Sequence, residues 1–240
     1  ANGLNYGDFC VPNGLYTLEV FDSYKDGWYN PAGYYLTVDL GEMIIDMGQM
    51  PAATASLSTL FSSLIPFQIN YSDWKVFNSE TAVAANWNAV DFDDAAWSTV
   101  KAANMGNHMT TTVYVRHEVQ LPSLEDYAVL NVRVKYTGGL TVYFNGNKVA
   151  RFNLAEEFEA GTEATSVHDA TAFSKFHVIL STVGAVAGKN VMAFEIHRAG
   201  GESAIVFDAT GVFGVNECSP VQDTYAAVDA TTVSGCTRYE

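Results

Sequence analysis

Apolar positions recur at every second residue through most of this chain, which is the spacing of half-buried β-strands rather than of helices. Near the start, Tyr16, Leu18 and Val20 alternate with Leu15, Thr17, Glu19 and Phe21. Further on, Tyr34, Leu36, Val38 and Leu40 alternate with Tyr35, Thr37 and Asp39. Between the two runs lie Asp22, Ser23, Asp26, Gly27, Asn30 and Pro31, a concentration of turn formers. A third strand is expected over residues 43–47, ending at Gly48. Residues 51–63 suit a closing strand, a short helix or an O-glycosylated stretch; the strand is preferred because it completes a small module, with Pro66 at its boundary.

From Tyr71 onward the pattern belongs to a larger unit. Val113, Val115, His117, Val119 and Leu121 alternate with Tyr114, Arg116, Glu118 and Gln120, and Leu130, Val132, Val134 and Tyr136 alternate with Val129, Asn131, Arg133 and Lys135. Leu140, Val142 and Phe144 run into Asn145-Gly146, a strong hairpin signal, and residues 149–152 return from it. Later strands are expected over 176–180, 191–197 and 204–207, and the acidic residues 156–169 as a long loop with at most one helical turn. Many short strands with turn punctuation predict an antiparallel sandwich or jelly roll. The expected fold is all-β: a small antiparallel β-module over 1–66, a larger β-sandwich or jelly roll over 67–216, and a tail over 217–240.

Composition narrows the partners. Charged residues make up 16% of the chain, and 27 acids against 12 Lys and Arg give a net charge of −15. Such a surface repels polyanions, so nucleic acid and anionic membrane are poor partners, while neutral glycans and divalent cations remain open. No apolar run reaches the ~18 residues of a membrane span. Low charge beside a 48% hydrophobic share suits faces covered by neighbours, as in self-association or contact with other extracellular proteins, although a large ordinary core produces the same numbers. The chain opens Ala-Asn-Gly, without a basic-then-apolar leader, and reads as mature or excised.

Three cysteines are present. Cys218 and Cys236 bracket a polar tail, and a bridge between them would stabilise it by roughly 3 kcal/mol and require an oxidising, extracellular setting. Two free thiols are the other reading. Cys10 is left over, as a free thiol or as one half of a bond to another chain. The sequon Asn70-Tyr71-Ser72 marks Asn70 for N-glycosylation.

Several stretches resemble known families. Phe92-Asp93-Asp94-Ala95-Ala96-Trp97-Ser98-Thr99-Val100, Val115-Arg116-His117-Glu118-Val119-Gln120-Leu121-Pro122, Val142-Tyr143-Phe144-Asn145-Gly146-Asn147-Lys148-Val149 and Gly188-Lys189-Asn190-Val191-Met192-Ala193-Phe194-Glu195-Ile196-His197 come in the order of four motifs of the galactose-binding-like jelly roll. That domain precedes the catalytic barrel in family 2 glycosidases. The resemblance implies a non-catalytic sandwich in which Asp93 and Asp94 cap a turn and Trp97 packs inward. The run Gly14-Leu15-Tyr16-Thr17-Leu18-Glu19-Val20-Phe21-Asp22-Ser23-Tyr24-Lys25-Asp26-Gly27-Trp28 resembles repeats of large secreted proteins of protists and bacteria, with Lys25 where a Gly is usual. The tail, with Tyr225, Gly235-Cys236-Thr237 and Tyr239, looks like another cysteine-paired extracellular repeat.

Candidate sites follow from residue type. Trp28, Tyr29 and Tyr35, with Tyr34, form the densest aromatic cluster; aromatic faces beside Asp and Asn suit a pyranose ring, and core or subunit interface is the plainer use. The loop rim of the larger sandwich is a second place for a glycan. Asp22 and Asp26, four apart in a Gly-containing loop, offer oxygen ligands to calcium or else satisfy turn amides. Glu195 and His197 share a strand face beside Arg198 without an accompanying nucleophile, and His108, His117, His168 and His177 show no metal spacing. Glycoside hydrolysis needs two carboxylates across a cleft, and no such pair is legible. The expectation is a non-enzymatic extracellular protein: a structural subunit of a surface, matrix or filament assembly, with a carbohydrate-binding module or adhesin as the alternative and a non-catalytic fragment of a glycosidase as the third. A deep pocket lined by two opposed acids would overturn it.

Overall fold

The structure, a computed structural model, describes residues 11–22, 24, 26–28, 33–38, 43–48, 50, 52–79, 83–101, 110–202 and 204–215. Cys10, Cys218 and Cys236 lie outside the described residues, as do Tyr29 and the side chain of Tyr35. The chain is nearly all β, as the alternation requires. No helix among the described residues is long and apolar enough to cross a membrane.

Near the start, β1 (Leu15–Phe21) pairs antiparallel with β4 (Ser56–Ser62), and β2 (Tyr34–Val38) with β3 (Met43–Gly48). The closing strand expected over 51–63 is therefore β4. In β1, Tyr16, Leu18 and Val20 are half-buried while Leu15, Thr17, Glu19 and Phe21 are exposed, so the period-two pattern separates two faces. Tyr16 stacks on Phe61 across the pair.

The larger unit is a two-layer sandwich. One layer is six-stranded in the order β10-β9-β12-β7-β5-β6, formed by β5 (Asp73–Ser79), β6 (Ser98–Lys101), β7 (Thr112–Leu121), β9 (Gly139–Phe144), β10 (Asn147–Phe152) and β12 (Gly188–His197). The other is three-stranded, β11-β8-β13, from β8 (Tyr127–Tyr136), β11 (Ser174–Ile179) and β13 (Phe207–Val215). Every strand pairing is antiparallel. Neither β5 nor β6 is expected from the sequence, and β13 starts where the predicted strand over 204–207 ends. The acidic stretch contains no helical turn; it is a loop whose Ala164 bridges to Ala199.

The core lies between the layers. Val113, Val115, Val119 and Leu121 from β7 and Leu130, Val132 and Val134 from β8 are at most 1% exposed. Trp74 sits at the centre, with Phe67, Phe194 and Phe207 rings 5.1–5.8 Å away. After β4 the chain stays on the sandwich: Phe213 N donates to Leu64 O, and Gly211 N to Phe67 O, both at 3.0 Å. The small module is thus joined to the larger unit by a segment hydrogen-bonded along β13.

The hairpin joining β9 and β10 turns at Asn145 (φ 49°) and Gly146 (φ 82°), the two positive φ values that a type I′ turn requires. Asn145 does more than turn the chain. Its side-chain Nδ2 donates to Asn190 Oδ1 (2.9 Å) and Gly184 O (3.0 Å), and its side-chain Oδ1 accepts from Val191 N (2.8 Å). Asn190, fully buried, bonds Val186 N, Val186 O and Gly188 O as well. Two of the motif stretches quoted above are therefore fastened to each other through one pair of asparagines.

Candidate functional site

In β7 and β12 the even-numbered and odd-numbered residues respectively point away from the core, and register places them in rows. Tyr114, Glu195 and Thr141 face one another across β7, β12 and β9; Arg116, Ala193 and Tyr143 form the next row. An outer face rich in apolar groups needs a cover, and residues 83–97 provide it. Trp87 and Trp97 are 6% and 7% exposed and pack with Tyr114, Val191 and Ala193 as a second, smaller core. Trp87 meets Tyr114 and Tyr143 edge-on at 4.9 and 5.5 Å.

Arg116 fastens this cover. Its guanidinium is 2.8 Å from Asp94 Oδ2, donates to the carbonyls of Ala89 (3.0 Å) and Trp87, and lies over the Phe92 ring. Asp94 is thus an ion-pair partner rather than a turn cap, whereas Asp93 caps as the resemblance implies, accepting from Ala95 N at 3.0 Å. Trp97 packs inward against Phe77 and Phe92, but on the outer face of the sheet and not between the layers.

Beside this second core opens a cleft of about 640 Å³. Its floor is Tyr114, Tyr143 and Glu195, its walls are Val83, Ala85, Trp87 and Phe158, and Glu156, Glu157, Glu159 and Lys148 stand around it. Glu195 is 7% exposed. Its Oε2 accepts from the Tyr143 hydroxyl at 3.3 Å, and Tyr114 lies across from it on β7. Burial, followed by the charge of Glu195, raises both phenols well above the ordinary tyrosine range. Each phenol thus stays protonated as a donor, which is the form that a carboxylate favours.

His197 holds the loop above. Its Nδ1 is 2.6 Å from Thr162 O, and since a carbonyl only accepts, that nitrogen carries the proton. Thr112 Oγ1 accepts from Gly161 N at 3.0 Å and contacts His197 Nδ1 at 3.3 Å. Nε2 of His197 lies 3.2 Å from Glu195 Oε1 but makes no hydrogen bond in that direction. Glu195 and His197 share a face, as alternation implies, and Tyr114 and Tyr143 complete the cluster without having been singled out in the sequence. Their signal was present: both occupy outward positions of strands whose neighbours there are polar.

The other sequence-derived candidates fall elsewhere. Asp22 is 8% exposed and uses both carboxylate oxygens on its own loop, Oδ1 accepting from Tyr24 N (3.1 Å) and Oδ2 from Gly27 N (2.8 Å). Asp26 is exposed. Asp22 thus satisfies turn amides, and no cluster of three metal-ligating side chains occurs among the described residues. Trp28 is half-buried with its ring edge-on to Tyr34 at 6.3 Å. Asn70 is exposed in a turn at φ 66°, with its backbone N–H donating to Asp208 Oδ2 at 2.7 Å. His117 bonds the carbonyls of Asp73 and Pro66, His168 stacks on Tyr136, and His177 bonds Asn131, so each of these three has a local partner.

No protein-family model matches the chain, and no curated protein matches it in sequence. Among solved structures it is similar to a β-glucuronidase of Ruminococcus gnavus (TM-score 0.42, 14% identity), over 65% of this chain and 30% of that one. A family 2 glycosyl hydrolase from Bacteroides cellulosilyticus (0.42, 11%) is matched over 62% and 20%. Bacteroides uniformis β-glucuronidase 2, covalently bound to cyclophellitol-6-carboxylate aziridine (0.41, 15%), is matched over 62% and 18%. The matched region is thus less than a third of each of these chains.

Proposed function

We propose that this protein is a non-catalytic carbohydrate-binding β-sandwich of an extracellular surface or matrix assembly, and that its ligand occupies the cleft over Glu195. The observation that supports this most is the floor of that cleft. A buried carboxylate flanked by two phenols, with half-buried Phe158 beside it, offers hydroxyl acceptors and donors next to apolar C–H surface, as a pyranose requires. The outer-face cleft is preferred to the Trp28 cluster as the glycan site, because its floor is described side chain by side chain, whereas Tyr29 and the side chain of Tyr35 lie outside the described residues.

Acids do line this cleft, so catalysis has to be weighed. Glu195 accepts from the Tyr143 hydroxyl and borders His197, and the other acids that line the cleft are Glu156, Glu157 and Glu159. Glycoside hydrolysis needs two carboxylates held at fixed separation across the bond. The rim carboxylates of Glu156, Glu157 and Glu159 are on an exposed loop. Binding without turnover is therefore the better reading. An extracellular setting is part of the same proposal, supported by the sequon at exposed Asn70 and by the cysteine-bracketed tail.

A glycan array followed by calorimetry tests the proposal. Neutral oligosaccharides are expected to bind, with Tyr143→Ala and Glu195→Gln each weakening the best ligand about tenfold, the worth of one charge-assisted hydrogen bond. An empty array, or hydrolysis of aryl glycosides that Glu195→Gln abolishes, would overturn it.

A further inference from the structure

The carboxylate on the floor of the cleft has little positive charge beside it. Glu195 is 7% exposed, and a buried carboxylate is costly unless a cation or several donors meet it. Tyr143 gives it a neutral hydroxyl donor at 3.3 Å. His197 gives it none, for its buried Nε2 lies 3.2 Å from Glu195 Oε1 and makes no hydrogen bond. Among the described residues the ion pairs made by Lys and Arg are Lys101–Asp73, Arg116–Asp94 and Lys189–Glu118, and none reaches Glu195. Arg116, one row along the same sheet face, is committed to Asp94 and two carbonyls.

The surroundings of Glu195 suit a cation brought by a ligand. Trp87, Tyr114, Tyr143 and Phe158 all line the cleft, and aromatic rings attract an organic ammonium. Trp87 stands at 68° to Tyr114 and at 83° to Tyr143, so these rings wall the space on more than one side. The loop carrying Glu156, Glu157 and Glu159 is held at the Glu195 end, with Phe158 edge-on to His197 at 5.1 Å and Thr162 O on His197 Nδ1. One cation, exposed Lys148, also lines the cleft. It lies on β10 across from Tyr143 of β9, two strands from the one that carries Glu195, which is roughly 10 Å at the spacing of strands. Four carboxylates against one ammonium leave the lining at −3, with the negative charge at the Glu195 end and the positive charge at the other.

We propose that the cleft selects sugars bearing a free, protonated amine, seating the ammonium against Glu195 and turning the ring hydroxyls toward Lys148. This rests on the carbohydrate reading above and adds the charge of the ligand to it. An ammonium brings three donors and a full charge to a carboxylate, where a hydroxyl brings one donor and none. Hydrogen bonds between two charged groups are roughly twice as strong as neutral ones, and the partly water-excluded floor favours them further. N-acetylation removes the charge and leaves a single N–H, so the acetylated form of the same sugar loses the advantage.

Calorimetry on the full chain with a glucosamine tetrasaccharide, its fully N-acetylated counterpart and a glucose tetrasaccharide tests this. The amine form is expected to bind about tenfold more tightly than either of the others, and its lead should shrink as salt rises. Glu195→Gln should bring the three affinities together. Because Glu195 is buried, Glu156→Gln/Glu157→Gln on the exposed loop serves as a second variant; it should cut the lead about threefold with melting unchanged. Equal binding of all three sugars to the unaltered chain would overturn the inference and leave the carbohydrate reading standing. Binding of none, together with an empty glycan array, would remove both. A uronic-acid oligosaccharide that binds more tightly than the amine form, and loses this in Lys148→Ala, would assign the cleft to an acidic sugar instead. Butylammonium binding as tightly as the tetrasaccharide would equally sink the inference, since the amine alone would then be what is recognised.

Discussion

Arg116 shows how one side chain can decide a local structure. The alternation in β7 marks it as outward and therefore as solvated, yet it is 2% exposed because residues 83–97 fold over it. Replacing it with Ala strands Asp94 and two carbonyls beneath that cover, and the expected cost is about 3 kcal/mol, read by urea denaturation. Arg116→Lys should recover only part of this, since an ammonium cannot reach in the three directions the guanidinium serves. Asn190 is a second such residue. Asn190→Ala removes four hydrogen bonds from a fully buried site, and a loss of about 2 kcal/mol is expected in the same measurement. Sequence patterning saw the Asn145-Gly146 turn but not the Asn145–Asn190 bond, since the partners are 45 positions apart.

At the scale of elements, strands were legible where both faces of the pattern were regular. β8 keeps the expected alternation in its burial, while β7, β9 and β12 lie where their sequences place strands but are buried on both faces over much of their length. β13 was largely missed, and its glycines explain why. Gly211 and Gly214 weaken a strand pattern, yet they are needed because the rings and side chains of neighbours come so near. A Cβ at Gly211 would lie 2.5 Å from Phe67, and one at Gly214 would lie 2.5 Å from Val129. Gly211→Ala must therefore push Phe67 out of the core and loosen the joining segment. About 1–3 kcal/mol of destabilisation is expected, with faster proteolysis near residues 63–67, and unchanged cleavage would refute the role given to that contact. Gly138 is stricter still: at φ +63°, its Cβ would come 2.1 Å from His197 O, so Gly138→Ala should disturb the strand that carries Glu195.

For the molecule as a whole, the buried phenols set the alkaline limit. Tyr114, Tyr143, Tyr127 and Tyr136 all have ionisation raised, chiefly by burial. Above pH ~10 the unfolded chain gives up its phenolic protons while these four keep theirs, so the native state binds more protons and stability falls as pH rises. Their contribution is complete below that pH. Tyrosinate absorbance is expected to rise in two phases, the second coinciding with loss of the β circular-dichroism signal, and Tyr143→Phe should shift that second phase to higher pH. What the sequence determined by itself was the class of fold, because side chains alternate in direction along any strand and most of these strands write that alternation into their residue types. It also yielded the hairpin, the outward pairing of Glu195 with His197, and the scarcity of positive charge. Tertiary structure alone decided that Tyr114, Tyr143 and Glu195 meet. It also decided that residues 83–97 turn an outer sheet face into a second core. These are facts of register and packing between distant segments, and no pattern along a single strand carries them.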